Sequence, residues 1–206
     1  MHVYAFGSLC RGEMSKYSDI DLLALVNDKD DRFDSDIYSI YSYERLDELW
    51  KEGNPFAWHL FLESKLIYSD DRSDYLRGMG CPAIYRNYKD DFYKFSSLLY
   101  TSFEELVNGT KSYVFEMSNI FLAIRNLSIC FSLAFLSDPV FSRGAALMIG
   151  NKSISIPMDV YSILEKARIM STRGIGEHIS QNEVQEVIKT SKIIHEWVIS
   201  MESVNE

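Results

Sequence analysis

A chain of 206 residues, 47% hydrophobic and 25% charged, is long enough for one domain or two small ones with a buried core. Its formal net charge of −9 argues against a general nucleic-acid binder, which needs a basic footprint. It favours a small neutral or cationic partner, or a nucleotide whose charge a metal handles. The three cysteines, Cys10, Cys81 and Cys130, are widely spaced with no CxxC pair, and because the sequence opens on a strand-like run no secretory leader is expected. Free thiols in a reducing cytoplasm are expected. The four histidines, His2, His59, His178 and His195, lack ligand spacing, so no zinc site is expected.

In chain order, residues 2–6 (HVYAF) alternate and stop at Gly7, which predicts a first strand. Ten residues of loop character separate Ser8 from Asp19. Residues 21–26 (DLLALV) are a short apolar run and the second strand. Residues 36–43 alternate Ile and Tyr with Ser and suit a third. Residues 44–53 carry Leu46, Leu49 and Trp50 at i, i+3 and i+4 and end at Gly53, an amphipathic helix with a glycine stop. Residues 55–70 read as a short helix followed by an edge strand near KLIY.

After residue 85 strand signals fade. Helices are predicted over 88–109, closed by Gly109, and over 111–137, stopped by Asp138-Pro139. A shorter one is expected over 139–149, and another over 157–174, with Pro157 in its first turn and Gly174 at its stop. A last helix starts at Ser180, which with Glu183 has the spacing of a capping box. The apolar segment 120–136 carries Arg125 and Asn126, and a spanning helix wants about 20 apolar residues. A buried helix of a soluble domain is expected there, not a membrane span. The fold class is α+β: a small mixed β-sheet domain with flanking helices over 1–87, then a C-terminal helical bundle over 88–206.

The chemistry concentrates in residues 4–25, YAFGSLCRGEMSKYSDIDLLAL. On a strand, Asp19 and Asp21 project to one face with Cα atoms roughly 6–7 Å apart, and Ile20 and Leu22 face the core. Two carboxylates near 4 Å repel by about 4 kcal/mol at an effective dielectric of 20. A divalent cation removes that penalty, and hard oxygen ligands select magnesium. Gly7 allows close backbone approach to a phosphate, and Ser8 adds a hydroxyl and an amide donor.

Phe6-Gly7-Ser8, a ten-residue spacer and Asp19-Ile20-Asp21-Leu22 together resemble the nucleotidyltransferase superfamily that includes DNA polymerase beta and the aminoglycoside nucleotidyltransferases. The inner RGEMSKYSDIDL is similar to its small, minimal members. The match is close over residues 3–26 and looser to about 70. The resemblance implies that Gly7 and Ser8 hold the triphosphate and that Asp19 and Asp21 bind one or two magnesium ions about 3.5–4 Å apart. It also implies a third carboxylate on a later strand, which activates the attacking hydroxyl. Here the third predicted strand holds only Asp36, at its start. Asp36 is the catalytic candidate or else a solvated strand-end acid, and if the family's acid falls at Ile37 or Ser39 it is missing. Arg11 is a phosphate contact or a solvated loop arginine.

In the helical part, Arg125 is read as half of a structural ion pair with Glu104, Glu105 or Glu116, and the same three are candidates for a general base. RNLSIC resembles the R-x4-6-H motif of HEPN ribonucleases, with Cys130 where histidine would stand, so no ribonuclease is read. The helical domain is expected to be HEPN-like or akin to that of the antibiotic nucleotidyltransferases. The resemblance implies a magnesium-dependent enzyme that moves a nucleoside monophosphate from an NTP to a hydroxyl acceptor and releases pyrophosphate. The acceptor would be a cationic small molecule, aminoglycoside-like, or a protein or RNA. The alternative is a catalytically weak or inactive nucleotide-binding antitoxin or regulatory protein, with a toxin-like helical partner or a second copy of itself.

Overall fold

The computed structural model describes residues 1–13, 20–28 and 30–202. These form two compact units, Met1–Arg86 and Asn87–Glu206.

The first unit runs β1 (His2–Phe6), α1 (Ser8–Arg11), β2 (Asp21–Val26), β3 (Tyr38–Ser42), α2 (Tyr43–Glu52), α3 (Pro55–Glu63), β4 (Ser64–Ser69) and α4 (Tyr75–Met79). The sheet order is β3-β2-β1-β4. β1 is antiparallel to both β2 and β4, and β2 is parallel to β3, so the sheet is mixed. Strand side chains alternate between faces. Tyr4, Phe6, Leu23 and Leu25 therefore share one face, where they close a core with Leu46, Leu49 and Trp50 of α2, Ala57 and Leu60 of α3, and Leu76.

That parity corrects one expectation. Asp21 is in phase with Leu23 and Leu25 and lies at the open end of the helix-covered face. Ile20 precedes the strand and is 55% exposed; it does not enter the core.

The third strand is also shorter than expected. Asp34 turns the chain, its carbonyl accepting from the N–H of Ile37 (3.0 Å) and Tyr38 (2.8 Å) and its carboxylate from the Asp36 N–H (2.9 Å). Pairing with β2 begins only at Tyr38. Ser42 then caps α2 by accepting from the Arg45 N–H at 3.1 Å.

α2 stops at Gly53, whose φ of +66° is left-handed. A Cβ there would lie 2.5 Å from the Ala83 carbonyl oxygen and 2.6 Å from that of Ile84. The segment that follows α4 thus lies against the helix end, fixed by Ala83 N–H to the Trp50 carbonyl (2.9 Å) and Trp50 Nε1 to the Gly80 carbonyl (2.9 Å).

The second unit comprises α5 (Tyr88–Val107), α6 (Tyr113–Phe135), α7 (Met158–Arg173), α8 (Gln181–Lys189) and α9 (Ser191–Glu202). By length and composition α6 could cross a membrane, yet it packs against both α5 and α7 and most of its apolar length is buried inside the unit. Residues 139–149 are not the predicted helix. Two 3-10 turns, Ala145–Leu147 and Gly150–Lys152, interrupt an irregular strand of chain. Side chains of α6 hold it: Arg125 donates to the carbonyls of Phe141 (3.1 Å) and Ser142 (3.5 Å), and Ser132 Oγ accepts from the Val140 N–H (3.0 Å). These bonds satisfy backbone groups that a helix would otherwise have paired.

The capping box at Ser180 forms as predicted, with both reciprocal bonds to Glu183. The helix it starts breaks at Thr190, whose hydroxyl and N–H both bond the Val187 carbonyl (2.7 and 3.0 Å), and α9 restarts at Ser191.

Candidate active site

β1 ends at Phe6, and Gly7 follows with φ +71° and ψ −137°, backbone that a side chain rarely adopts. The chain then folds into the single turn of α1. The N–H groups of Cys10 (3.0 Å) and Arg11 (3.2 Å) both donate to the Gly7 carbonyl, and Glu13 N–H donates to that of Ser8 (2.9 Å). The sequence predicts loop over this segment, because four residues are too few for a periodic signal.

In the antiparallel pairing of β1 with β2, Phe6 stands opposite Asp21. This brings the carboxylate of Asp21 beside Gly7. A Cβ on Gly7 would lie 2.8 Å from Asp21 Oδ2 and 3.8 Å from His59 Cε1. The volume of the missing side chain is walled by a carboxylate and an imidazole. Gly7, Ser8 and Asp21 are thus brought together, while Asp19 lies outside the described residues.

Asp36 is placed differently. It is exposed in the turn before β3. The parallel register pairs Leu22 with Tyr38 and Leu23 with Ser39. Ile37 lies with Asp36 in the turn before the first paired residue, and Ser39 stands on β3 opposite Leu23; neither Ile37 nor Ser39 is an acid.

Arg11 is engaged by carboxylates. Its Nε donates to Glu13 Oε2 at 2.7 Å and its Nη1 to Glu63 Oε2. Burial opposes its charge, but the bonds from Glu13 and Glu63 outweigh that and hold its pKa above the ordinary value. Glu63, at the end of α3, also accepts the Gly7 N–H on its backbone carbonyl (3.1 Å). One turn earlier on α3, His59 places Nε2 2.9 Å from Glu63 Oε2 and packs edge-on against Phe6. Burial pushes the Cys10 thiol pKa up, and its Sγ donates to the Ala5 carbonyl (3.4 Å).

Glu63 and His59 were not identified from the sequence. The only local signal is their i, i+4 spacing just before a strand, and their approach to Gly7 depends on β1 pairing with β4, where Phe6 stands opposite Ser64.

Among the described residues no group of three or more His, Cys, Asp or Glu is placed to hold a metal ion. The donor chemistry still fits a hard cation, since Asp21 presents carboxylate oxygen in the cradle beside Gly7 and Asp19 would add a second.

Residues 2–75 match the family described as Nucleotidyltransferase domain. No curated protein matches the chain. A solved structure of spectinomycin adenyltransferase AAD(9) from Enterococcus faecialis, with ATP and spectinomycin, aligns over 98% of this chain and 91% of its own, at 15% identity and a TM-score of 0.47.

Proposed function

We propose that the nucleotidyltransferase domain at residues 2–75 moves a nucleoside monophosphate from an NTP to a hydroxyl acceptor with release of pyrophosphate. The observation that carries this is the Asp21 carboxylate filling the space a Gly7 side chain would occupy. A backbone that can approach a phosphate and a hard anionic ligand share one point of the fold. Gly7 and Ser8 would face the phosphates. Asp21, with Asp19, would hold Mg2+, which when bound offsets charge on the phosphates and the leaving group. The acidic surface suits a cationic small-molecule acceptor, such as an aminoglycoside-like compound, over a nucleic acid. A hydroxyl on a protein is the other acceptor class.

The test is magnesium-dependent pyrophosphate release from ATP, GTP, CTP and UTP with a panel of acceptors. Turnover with at least one pair, lost by 100-fold or more in Asp21→Ala, is expected, the loss being of the order seen when transition-state charge stabilisation is removed. No turnover with any pair, or turnover unchanged in Asp21→Ala, refutes the transfer reading.

A second reading is favoured by one observation: β3, Tyr38–Ser42, carries no acid to stand beside Asp21. On it, the domain binds an NTP without efficient transfer and acts as a regulatory or antitoxin-like protein. Ile37 is 58% exposed, so Ile37→Asp adds a carboxylate at little cost in packing. NTP binding without turnover in the native protein, and turnover gained in Ile37→Asp, would support this reading. Turnover in the native protein refutes it.

A further inference from the structure

Three links converge on one residue at the end of α3. The Glu63 carbonyl accepts the N–H of Gly7 at 3.1 Å, where the phosphate-facing turn begins. The Glu63 carboxylate takes Nη1 of Arg11, where the turn ends, and the same oxygen lies 2.9 Å from Nε2 of His59. We infer that Glu63 is a positioning residue for the Gly7–Gly12 turn, and that Arg11 acts through Glu63 and is not itself a phosphate ligand. The inference rests on the nucleotide reading of the site given above.

The burial of the three side chains supports it. Glu63 is 13% exposed and Arg11 18%. His59 is 15% exposed. A carboxylate this enclosed needs its partners, because removing one leaves a charge out of water with nothing to offset it. A phosphate that recruited Arg11 would have to break that pair, and Glu13 holds the remaining edge of the guanidinium at 2.7 Å. The charge of Arg11 is already matched by two carboxylates before any ligand arrives.

The support beneath Glu63 is rigid. Asn54 caps α3 by accepting the Phe56 N–H at 2.9 Å, Pro55 opens it, and Ala57 and Leu60 bury its other face in the core. Strand β4 starts at the next residue, in register with Phe6. The helix, the strand and the turn are therefore tied at one point, and the His59 ring, which walls the space at Gly7 together with Asp21, has its Nε2 2.9 Å from the same carboxylate.

The test uses the full chain with Mg2+ and non-hydrolysable analogues of the four NTPs, reading affinity by calorimetry and folding by urea midpoint. Arg11→Met and Glu63→Gln are each expected to weaken binding about tenfold. The double variant is expected to be no weaker than the weaker single, since the two residues act as one unit. Arg11→Lys, which keeps a charge on Glu63, should recover affinity to within about threefold in the native background and have no effect in the Glu63→Gln background. Losses that multiply in the double variant would show direct phosphate contact by Arg11 and overturn the inference, as would unchanged affinity in Glu63→Gln. If Arg11→Met does not fold, the Arg11→Lys comparison across the two backgrounds decides the same question. A native protein that binds none of the analogues overturns the nucleotide reading and this inference with it, a result distinct from native binding with indifferent variants.

Discussion

Replacing Gly7 by alanine attacks the site where backbone and carboxylate meet. Two costs are separable. At φ +71° and ψ −137° a non-glycine residue carries strain of about 1–3 kcal/mol. The new Cβ also falls 2.8 Å from Asp21 Oδ2, closer than side-chain carbons approach, while His59 Cε1 at 3.8 Å is in ordinary contact. Asp21 is a short side chain on a paired strand residue opposite Phe6, so it cannot swing away as a lysine would, and overpacking of this kind costs about 1–3 kcal/mol more. The expected loss is about 2–6 kcal/mol, a large share of a typical domain stability of about 5–15 kcal/mol. It is measured by urea denaturation of Gly7→Ala. In an Asp21→Ala background the contact disappears, and the same substitution should cost only the backbone share, about 1–3 kcal/mol. An equal cost in both backgrounds, or an unchanged midpoint for Gly7→Ala alone, refutes the account of why glycine stands here.

Two further predictions concern the scaffold. Gly53→Ala should destabilise the first unit by about 3 kcal/mol or more in urea, because positive φ alone costs about 1–2 kcal/mol and the Cβ would meet two backbone oxygens that cannot rotate away. Tyr4→Phe should cost about 1–3 kcal/mol, since the phenol accepts the Leu76 N–H (3.1 Å) and donates to Asp74 (3.0 Å) at the point where α4 joins the sheet. Burial, more than the neighbouring Asp74, pushes the Tyr4 pKa up. The folded state thus favours the neutral phenol: its contribution is complete below the unfolded value near 10 and is lost as pH rises above it. Urea midpoints should fall from about pH 10 upward in the native protein and less so in Tyr4→Phe; parallel curves would refute this.

What could be read from the sequence follows from range. The adjacency of Gly7 and Asp21 was legible because it needs only two neighbouring strands and a glycine at the turn. Leu46, Leu49 and Trp50 declared α2 by spacing alone, and Ser180 with Glu183 declared the start of α8. The face of Asp21 was not legible in the same way. Residues 22–26 are apolar throughout, so they carry no alternation to show which parity meets the core, and only the packing of Leu23 and Leu25 on α2 and α3 decides it. The placement of Glu63 depends on a strand pairing that brings Ser64 beside Phe6. Residues 139–149 have helix-compatible composition, but their backbone groups are claimed by Arg125 and Ser132, residues on another element. Local propensity yields wherever a side chain from elsewhere satisfies the backbone first.

Charge then limits what the site can do. Around the Gly7 turn the described ionisable side chains include Asp21, Glu13, Glu63, Arg11, His59 and Lys65, and the Arg11 guanidinium is bound by Glu13 and Glu63. On the proposed nucleotide reading, a triphosphate at Gly7 meets repulsion from Asp21, which a shared divalent cation would relieve, so nucleotide affinity is expected to rise with a divalent ion. Strand β3 adds no acidic group, its residues Tyr38–Ser42 pairing with Leu22–Val26 of β2. On the proposed reading, an acid in place of Ile37 would strengthen the hold on a cation and supply a base for the acceptor hydroxyl, and β3 itself, Tyr38–Ser42, carries no acid to take that proton. If transfer occurs, that proton must go to a group outside β3.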